Sequence, residues 1–302
     1  MKRAPLHGLV AAVHTPFDAS GALHLDAVEK QAAHLLRQGV AATFVGGTTG
    51  ESASLTLGER LDLARRWVGV ARGTALRVVV HVGSNCLGDA REMAAQAGKL
   101  GVDAISAIAP SYFKPGSIDA LVACCERIAS AAPETPFYYY DIPPLTGITL
   151  SSAEFLGRAP GAIPSLAGLK YSNPDLMTLQ RCLGMGFDVP FGIDEHLLGA
   201  MAMGVRGAVG SGYNFAAPVY RRMMEAFDRG DWAAARMEQA RGAELVRILA
   251  ARGYMGSAKA LMGMLGVDVG GPRLPNVGLG REAVAALRGE LEAAGFFGWV
   301  GA

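Results

Sequence analysis

From residue 8 to about residue 225 the chain alternates short apolar runs with longer segments of helical period. A parallel sheet covered by helices satisfies that pattern, and few other architectures do. Strands are expected at 9–16, 42–46, 77–82, 104–109, 137–141, 166–172, 190–194 and 207–211. Helical periodicity falls between them, at 26–38, 57–71, 89–100, 118–131 and 196–203. Eight evenly spaced units without a topological break favour an α/β fold of the (β/α)8 TIM barrel type over its competitor, a doubly wound open sheet.

After the eighth unit the alternation stops, and 219–229, 232–252, 257–265 and 281–294 read as consecutive helices. The expected organisation is a barrel over 1–225 and a C-terminal helical extension over 226–302 packed on it. Gly270-Gly271-Pro272-Arg273-Leu274-Pro275 is a turn-rich connection within that extension rather than a boundary. An apolar fraction of 51% over 302 residues supplies a large core. With 18% charged residues and a net charge of +1, the chain has no basic face for nucleic acid, so a small molecule is the expected partner. No apolar run is long enough to span a membrane, and the basic start Met1-Lys2-Arg3-Ala4-Pro5 is not followed by the apolar region of a signal peptide. The four cysteines, Cys86, Cys124, Cys125 and Cys182, fit neither a disulfide framework nor a zinc spacing, which points to a reducing, cytoplasmic compartment. The histidines show no ligand spacing either, so no metal is expected.

Barrels of this kind place reactive groups at the C-terminal ends of strands. Lys170 ends the run Leu166-Ala167-Gly168-Leu169-Lys170. An amine carried through a core to such a place is desolvated, which favours the neutral nucleophile and permits a Schiff base with a 2-oxo acid. Taken alone, the same lysine also reads as one that snorkels out at a strand end. Ser172 lies beyond it on the same face. Gly47-Thr48-Thr49-Gly50-Glu51 reads either as a cradle for a carboxylate, through backbone N–H groups and the hydroxyls of Thr48 and Thr49, or as an ordinary loop. In Phe137-Tyr138-Tyr139-Tyr140-Asp141 strand alternation puts Tyr138 and Tyr140 on one face and Tyr139 on the other, and Tyr140, at the strand end, is placed to relay a proton if its hydroxyl points inward. Asp194 and Glu195 follow the seventh strand, where they are either ligand acceptors or the acidic first turn of a helix beginning at His196. Ser211, Tyr213 and Asn214 follow the eighth.

Gly47-Thr48-Thr49-Gly50-Glu51, Tyr140-Asp141-Ile142-Pro143, Gly168-Leu169-Lys170, Gly192-Ile193-Asp194-Glu195 and Gly210-Ser211-Gly212-Tyr213-Asn214 resemble, in order, the motifs of the dihydrodipicolinate synthase and N-acetylneuraminate lyase superfamily of Schiff-base aldolases. The resemblance covers nearly the whole chain, and 81–275 is most similar to the animal-type lyase branch. It implies a cofactor-free class I aldolase cleaving N-acetylneuraminate reversibly to N-acetylmannosamine and pyruvate. The alternative is another pyruvate-dependent aldolase or dehydratase of the superfamily, such as one acting on 2-keto-3-deoxy sugar acids. By the same resemblance Lys170 forms the Schiff base and Tyr140 assists proton transfer at the C4 hydroxyl. Thr48 and Thr49 hold the carboxylate, and Gly192, Asp194, Glu195 and Ser211 receive the polyhydroxy tail. Tyr112, or its neighbour Phe113, matches the tyrosine that reaches into a neighbouring subunit's site of a homotetramer. Two positions bear on substrate choice. Leu145 stands where the synthases carry a carboxylate-binding arginine, and leucine makes no bidentate contact. Asp141 stands where lyases carry asparagine or histidine, so an anion there is expected to act on the adjacent phenol or on the tail pocket. A barrel that binds its ligand without turnover has no use for a nucleophile beside a phenol, and the glycine-threonine loop lacks the lysine and spacing of a nucleotide phosphate loop.

Overall fold

The structure is a computed structural model that describes residues 5–301, so the basic start Met1 to Ala4 lies outside the described residues. Seven parallel strands form among them: β1 (Gly8–Ala12), β2 (Ala42–Val45), β3 (Arg77–His81), β4 (Ala104–Ala107), β5 (Phe137–Asp141), β6 (Leu166–Tyr171) and β7 (Gly207–Gly210). Their hydrogen-bonded order is β6-β5-β4-β3-β2-β1-β7, the order of a barrel opened between β6 and β7.

That opening is filled by the segment expected to be the seventh of eight strands, 190–194, which does not form a ladder. Phe191 alone bridges Tyr171 on one side and Ala208 on the other. Four backbone bonds of 2.8–2.9 Å stitch it in: Tyr171 N–H to Pro190, Gly192 N–H to Tyr171, Phe191 N–H to Gly207 and Val209 N–H to Phe191. Pro190 has no N–H to donate, and by Asp194 the chain has turned into a 3-10 helix, Asp194–His196, so one residue does the work of a strand. The first strand is likewise shorter than the expected 9–16. Pro16 cannot extend the ladder, and Phe17 N–H instead bonds Val269 O at 3.1 Å, carrying the chain toward the C-terminal segment.

Period-two alternation sorts the strand side chains into two cores. Val10, Ala12, Phe44, Val79, Tyr138 and Tyr140 fill the barrel interior. Leu9, Ala11, Val78, Ile105, Phe137 and Tyr139 face outward into the shell between strands and helices, where Tyr139 packs on Phe155 with ring centroids 4.7 Å apart. The helix Leu57–Ala71 starts on a capping box, with Thr56 as N-cap and Glu59 returning the bond. Beyond Ala217–Asp228, the helices Trp232–Ala250, Tyr254–Met264 and Arg281–Ala293 follow one another. Trp232–Ala250 braces the barrel mouth through Gln239, which accepts from Leu198 N–H at 2.7 Å and donates to Asp194 O at 3.2 Å. Among the described residues no helix is long and apolar enough to cross a membrane.

Candidate active site

The C-terminal ends of the strands surround a cavity of about 430 Å³. Thr48, Thr49, Tyr140, Lys170, Ser172, Gly192, Asp194, Glu195 and Ser211 all line it, so the structure brings these candidates together, whereas Tyr112, Asp141, Tyr213 and Asn214 do not line it.

The centre is set by register. Tyr140 on β5 pairs with Lys170 on β6, and both side chains turn inward. The Lys170 ammonium position is 4.0 Å from the Tyr140 ring centroid and 4.2 Å from that of Phe44, and the residue is 4% exposed. Two aromatic faces therefore hold the Nζ atom in place while its stem is buried. The Tyr140 ring is fixed in turn by edge contacts with Phe44 and His81 at 5.6 and 5.9 Å. Its hydroxyl lies 3.3 Å from Thr48 Oγ1, which links the phenol to the glycine-threonine loop. His81 is buried and pushed well below the usual imidazole range, by burial first and then by the Arg60 guanidinium. It bonds Gly46 O through Nδ1 at 2.8 Å, so a neutral ring supports the start of that loop.

The neighbouring wall, carried by the segment that pairs with β6 through Phe191, is polar. Asp194 is buried, accepts from Gly212 N–H at 2.7 Å, and has a pKa pushed up to about 6, chiefly by burial. It is not a cap of the short helix after it, because its carboxylate turns to the β7 end instead. Two glycines make room here: a Cβ at Gly210 would overlap the Asp194 carboxylate, and one at Gly192 the Ser172 hydroxyl. Glu195 stands half-buried beside them. Ser211 Oγ is 2.6 Å from the hydroxyl of Tyr254, a cavity residue that sequence reasoning missed because it comes from the extension rather than from a strand end. Phe44 was missed as well. Its signal was an aromatic at an inward position of β2, two residues before Gly46.

The expectation for Asp141 is corrected. It sits on the outer face of β5, 1% exposed, accepting from Ser152 Oγ at 2.7 Å and Asn173 Nδ2 at 3.1 Å. Period-two alternation turns it away from Tyr140's cavity, so it belongs to the shell and not to the tail pocket. Leu145 is 63% exposed on the short helix Pro143–Thr146, and among the described residues no arginine lines the cavity. Tyr112 lies outside the cavity, 78% exposed, packed edge-on against Phe113 at 5.1 Å. Its loop is held by Asn85 Oδ1, which accepts from the N–H groups of Ser111 and Tyr112 at 2.8 and 3.0 Å. Among the described residues no group of three or more His, Cys, Asp or Glu side chains is arranged to hold a metal ion.

The Dihydrodipicolinate synthetase family matches residues 5–294. The chain belongs to that family. Within the family it is 43% identical over 275 residues to N-acetylneuraminate lyase A of Xenopus laevis, a match covering 89% of this chain and 90% of the relative. The structure of N-acetylneuraminate lyase (sialic acid aldolase) from Aliivibrio salmonicida superposes with a TM-score of 0.93 at 41% identity, over 96% of this chain and 97% of that one. DHDPS from Cyanidioschyzon merolae with lysine bound superposes with a TM-score of 0.89 at 33% identity, over 96% and 98%. Both branches of the family thus share this barrel.

Proposed function

We propose that the chain is a class I aldolase that cleaves N-acetylneuraminate reversibly to N-acetylmannosamine and pyruvate. The observation that carries this is a cavity in which Lys170 and Tyr140 stand with Asp194, Glu195 and Ser211 and, among the described residues, with no arginine. Carboxylates and hydroxyls accept and share hydrogen bonds with a polyol, whereas an aldehyde partner bearing its own carboxylate calls for a guanidinium. The lyases to which the chain is similar act on the same sugar acid by name.

In this reading the Lys170 amine adds to C2 of the open-chain sugar acid, and loss of water leaves an iminium, with Thr48 and Thr49 holding the C1 carboxylate. Tyr140, its hydroxyl poised by Thr48, takes the proton from the C4 hydroxyl with help from that carboxylate. The C3–C4 bond then breaks, its electrons pass into the iminium to form an enamine, and the C4 oxygen becomes the aldehyde of N-acetylmannosamine. Protonation of the enamine at C3 and hydrolysis return pyruvate and the free lysine. The exposed Tyr112–Phe113 pair would meet a second copy in a homotetramer, and the free cysteines suit a reducing cytoplasm.

Pyruvate release from N-acetylneuraminate, run beside 2-keto-3-deoxygluconate, tests the assignment. Release from the sialic acid is the expected result, and release from the deoxy sugar acid alone would move the chain to the other substrate. A pH series adds an independent check. Because burial raises the Asp194 pKa to about 6, its carboxylate is lost as pH falls through that value rather than below the ordinary range. Between pH 7 and 5 the KM for the sialic acid is expected to rise roughly tenfold, following the ionised fraction, while half-saturation by pyruvate, which has no polyhydroxy tail to meet Asp194, changes less. Asp194→Asn should flatten that profile.

A further inference from the structure

Behind the glycine-threonine loop, on the side away from the cavity, lies a second buried lysine. Lys259, on the helix Tyr254–Met264, is 2% exposed, and its Nζ is 2.8 Å from Glu51 Oε1, with the two side chains 1% and 0% exposed. The remaining donors of the ammonium reach Thr15 O at 2.8 Å and Gly271 O at 3.0 Å, and Nζ sits 4.3 Å from the Phe17 ring centroid. Glu51 ends the loop that carries Thr48 and Thr49. It holds the left-handed backbone conformation, φ +53°, the one non-glycine residue among those described to do so. That conformation is unfavourable for a residue with a Cβ and persists where the surroundings over-determine it. Here they do. Glu51 Oε2 accepts from Arg273 N–H at 2.9 Å, and Thr15 Oγ1 donates to Gly50 O at 2.6 Å, so the ammonium ties β1's exit, the loop and the linker after Val267 into one clamp.

We propose that Glu51 and Lys259 are positioning residues: their buried ion pair, delivered by the C-terminal helices, holds Thr48 and Thr49 in the geometry that seats the carboxylate of the 2-oxo acid. A well-packed apolar pair would serve stability at least as well, since desolvating two charges costs about what their attraction returns. What an ion pair whose ammonium also bonds two backbone carbonyls adds is a single geometry, and the groups it fixes are the loop whose other face lines the cavity. Fully buried His14 stands beside the clamp and is kept neutral, with a pKa lowered to about 3 by burial and by the Lys259 charge, so it brings no competing cation. The inference rests on the proposed function for the identity of the carboxylate.

The test is the double variant Glu51→Gln/Lys259→Met, which keeps volume and leaves no lone charge, compared with each single variant. The concentration of pyruvate giving half-maximal borohydride trapping on Lys170 is expected to rise about tenfold or more, as misplacement of a binding group does. The KM for N-acetylmannosamine in the condensation direction should stay within about twofold, because the tail wall is untouched. A folded double variant that traps pyruvate like wild type overturns the inference. So does an equal rise in both constants, or a double variant whose thermal melt shows no folded state, because the pair then serves the fold and not the loop. Failure of the proposed function is read separately, in wild-type protein that traps pyruvate but releases none from N-acetylneuraminate.

Discussion

Replacing Lys170 by alanine is expected to lower pyruvate release by at least about 10³-fold, a loss of roughly 4 kcal/mol of transition-state stabilisation. The reason is that among the described residues the cavity offers no second amine: Lys170 is the lysine that lines it, and Lys259 is locked in an ion pair behind the loop. Without the iminium, the electrons of the C3–C4 bond have no acceptor, and no rearrangement of hydroxyls supplies one. The fold should survive. The replaced side chain ends in an open cavity, and Phe44 and Tyr140, which cradle it, keep their own contact at 5.6 Å. The check is a steady-state assay together with borohydride trapping and a thermal melt. Persistent activity and a persistent pyruvate adduct in the alanine variant would place the nucleophile elsewhere.

Tyr140→Phe should separate bond cleavage from Schiff-base formation. Phenylalanine retains the ring that packs against Lys170, Phe44 and His81, and removes the hydroxyl 3.3 Å from Thr48 Oγ1. Loss of a positioned proton-transfer group costs about 10² to 10⁴ in rate, and kcat for release is expected to fall in that range. Trapping of pyruvate on Lys170 should remain, since it needs the amine and the carboxylate cradle but no C4 proton transfer. If trapping falls as steeply as release, the hydroxyl acts in building the imine and the mechanism above has its proton transfers in the wrong order. Stability should change little, because one hydrogen bond of this kind contributes about 1 kcal/mol.

Much of this site was open to reading from residues in order. The alternation of strand and helix signals implied the barrel, and a barrel sends its strand-end residues to one mouth, so Lys170, Tyr140, Thr48, Asp194 and Ser211 could be grouped without knowing any distance. The inward turn of Tyr138 and Tyr140 and the outward turn of Tyr139 followed from period two alone. The same rule, applied one residue further, places Asp141 outside, yet its expected effect was on the site. Charge and adjacency in sequence drew attention to a residue whose partners, Ser152 and Asn173, lie in other elements.

Where the reading fell short, the deciding forces were ones that link distant parts of the chain. The segment 190–194 has the composition of a strand, but Pro190 and the turn at Asp194 leave only Phe191 to close the ring, and the neighbours on both sides decide that this suffices. Tyr254 enters the cavity because helices from the extension pack over the barrel mouth, and no local pattern marks it. The Glu51–Lys259 pair joins the second strand's loop, where Glu51 holds its left-handed conformation, to a helix near the end of the chain. The sequence by itself determined the architecture and the placement of Lys170 and Tyr140 at the barrel mouth, because side-chain period and strand-end position are local properties. Tertiary structure alone decided which carboxylates face the cavity and which ones hold the walls, because desolvation and pairing depend on neighbours that the order of residues does not reveal.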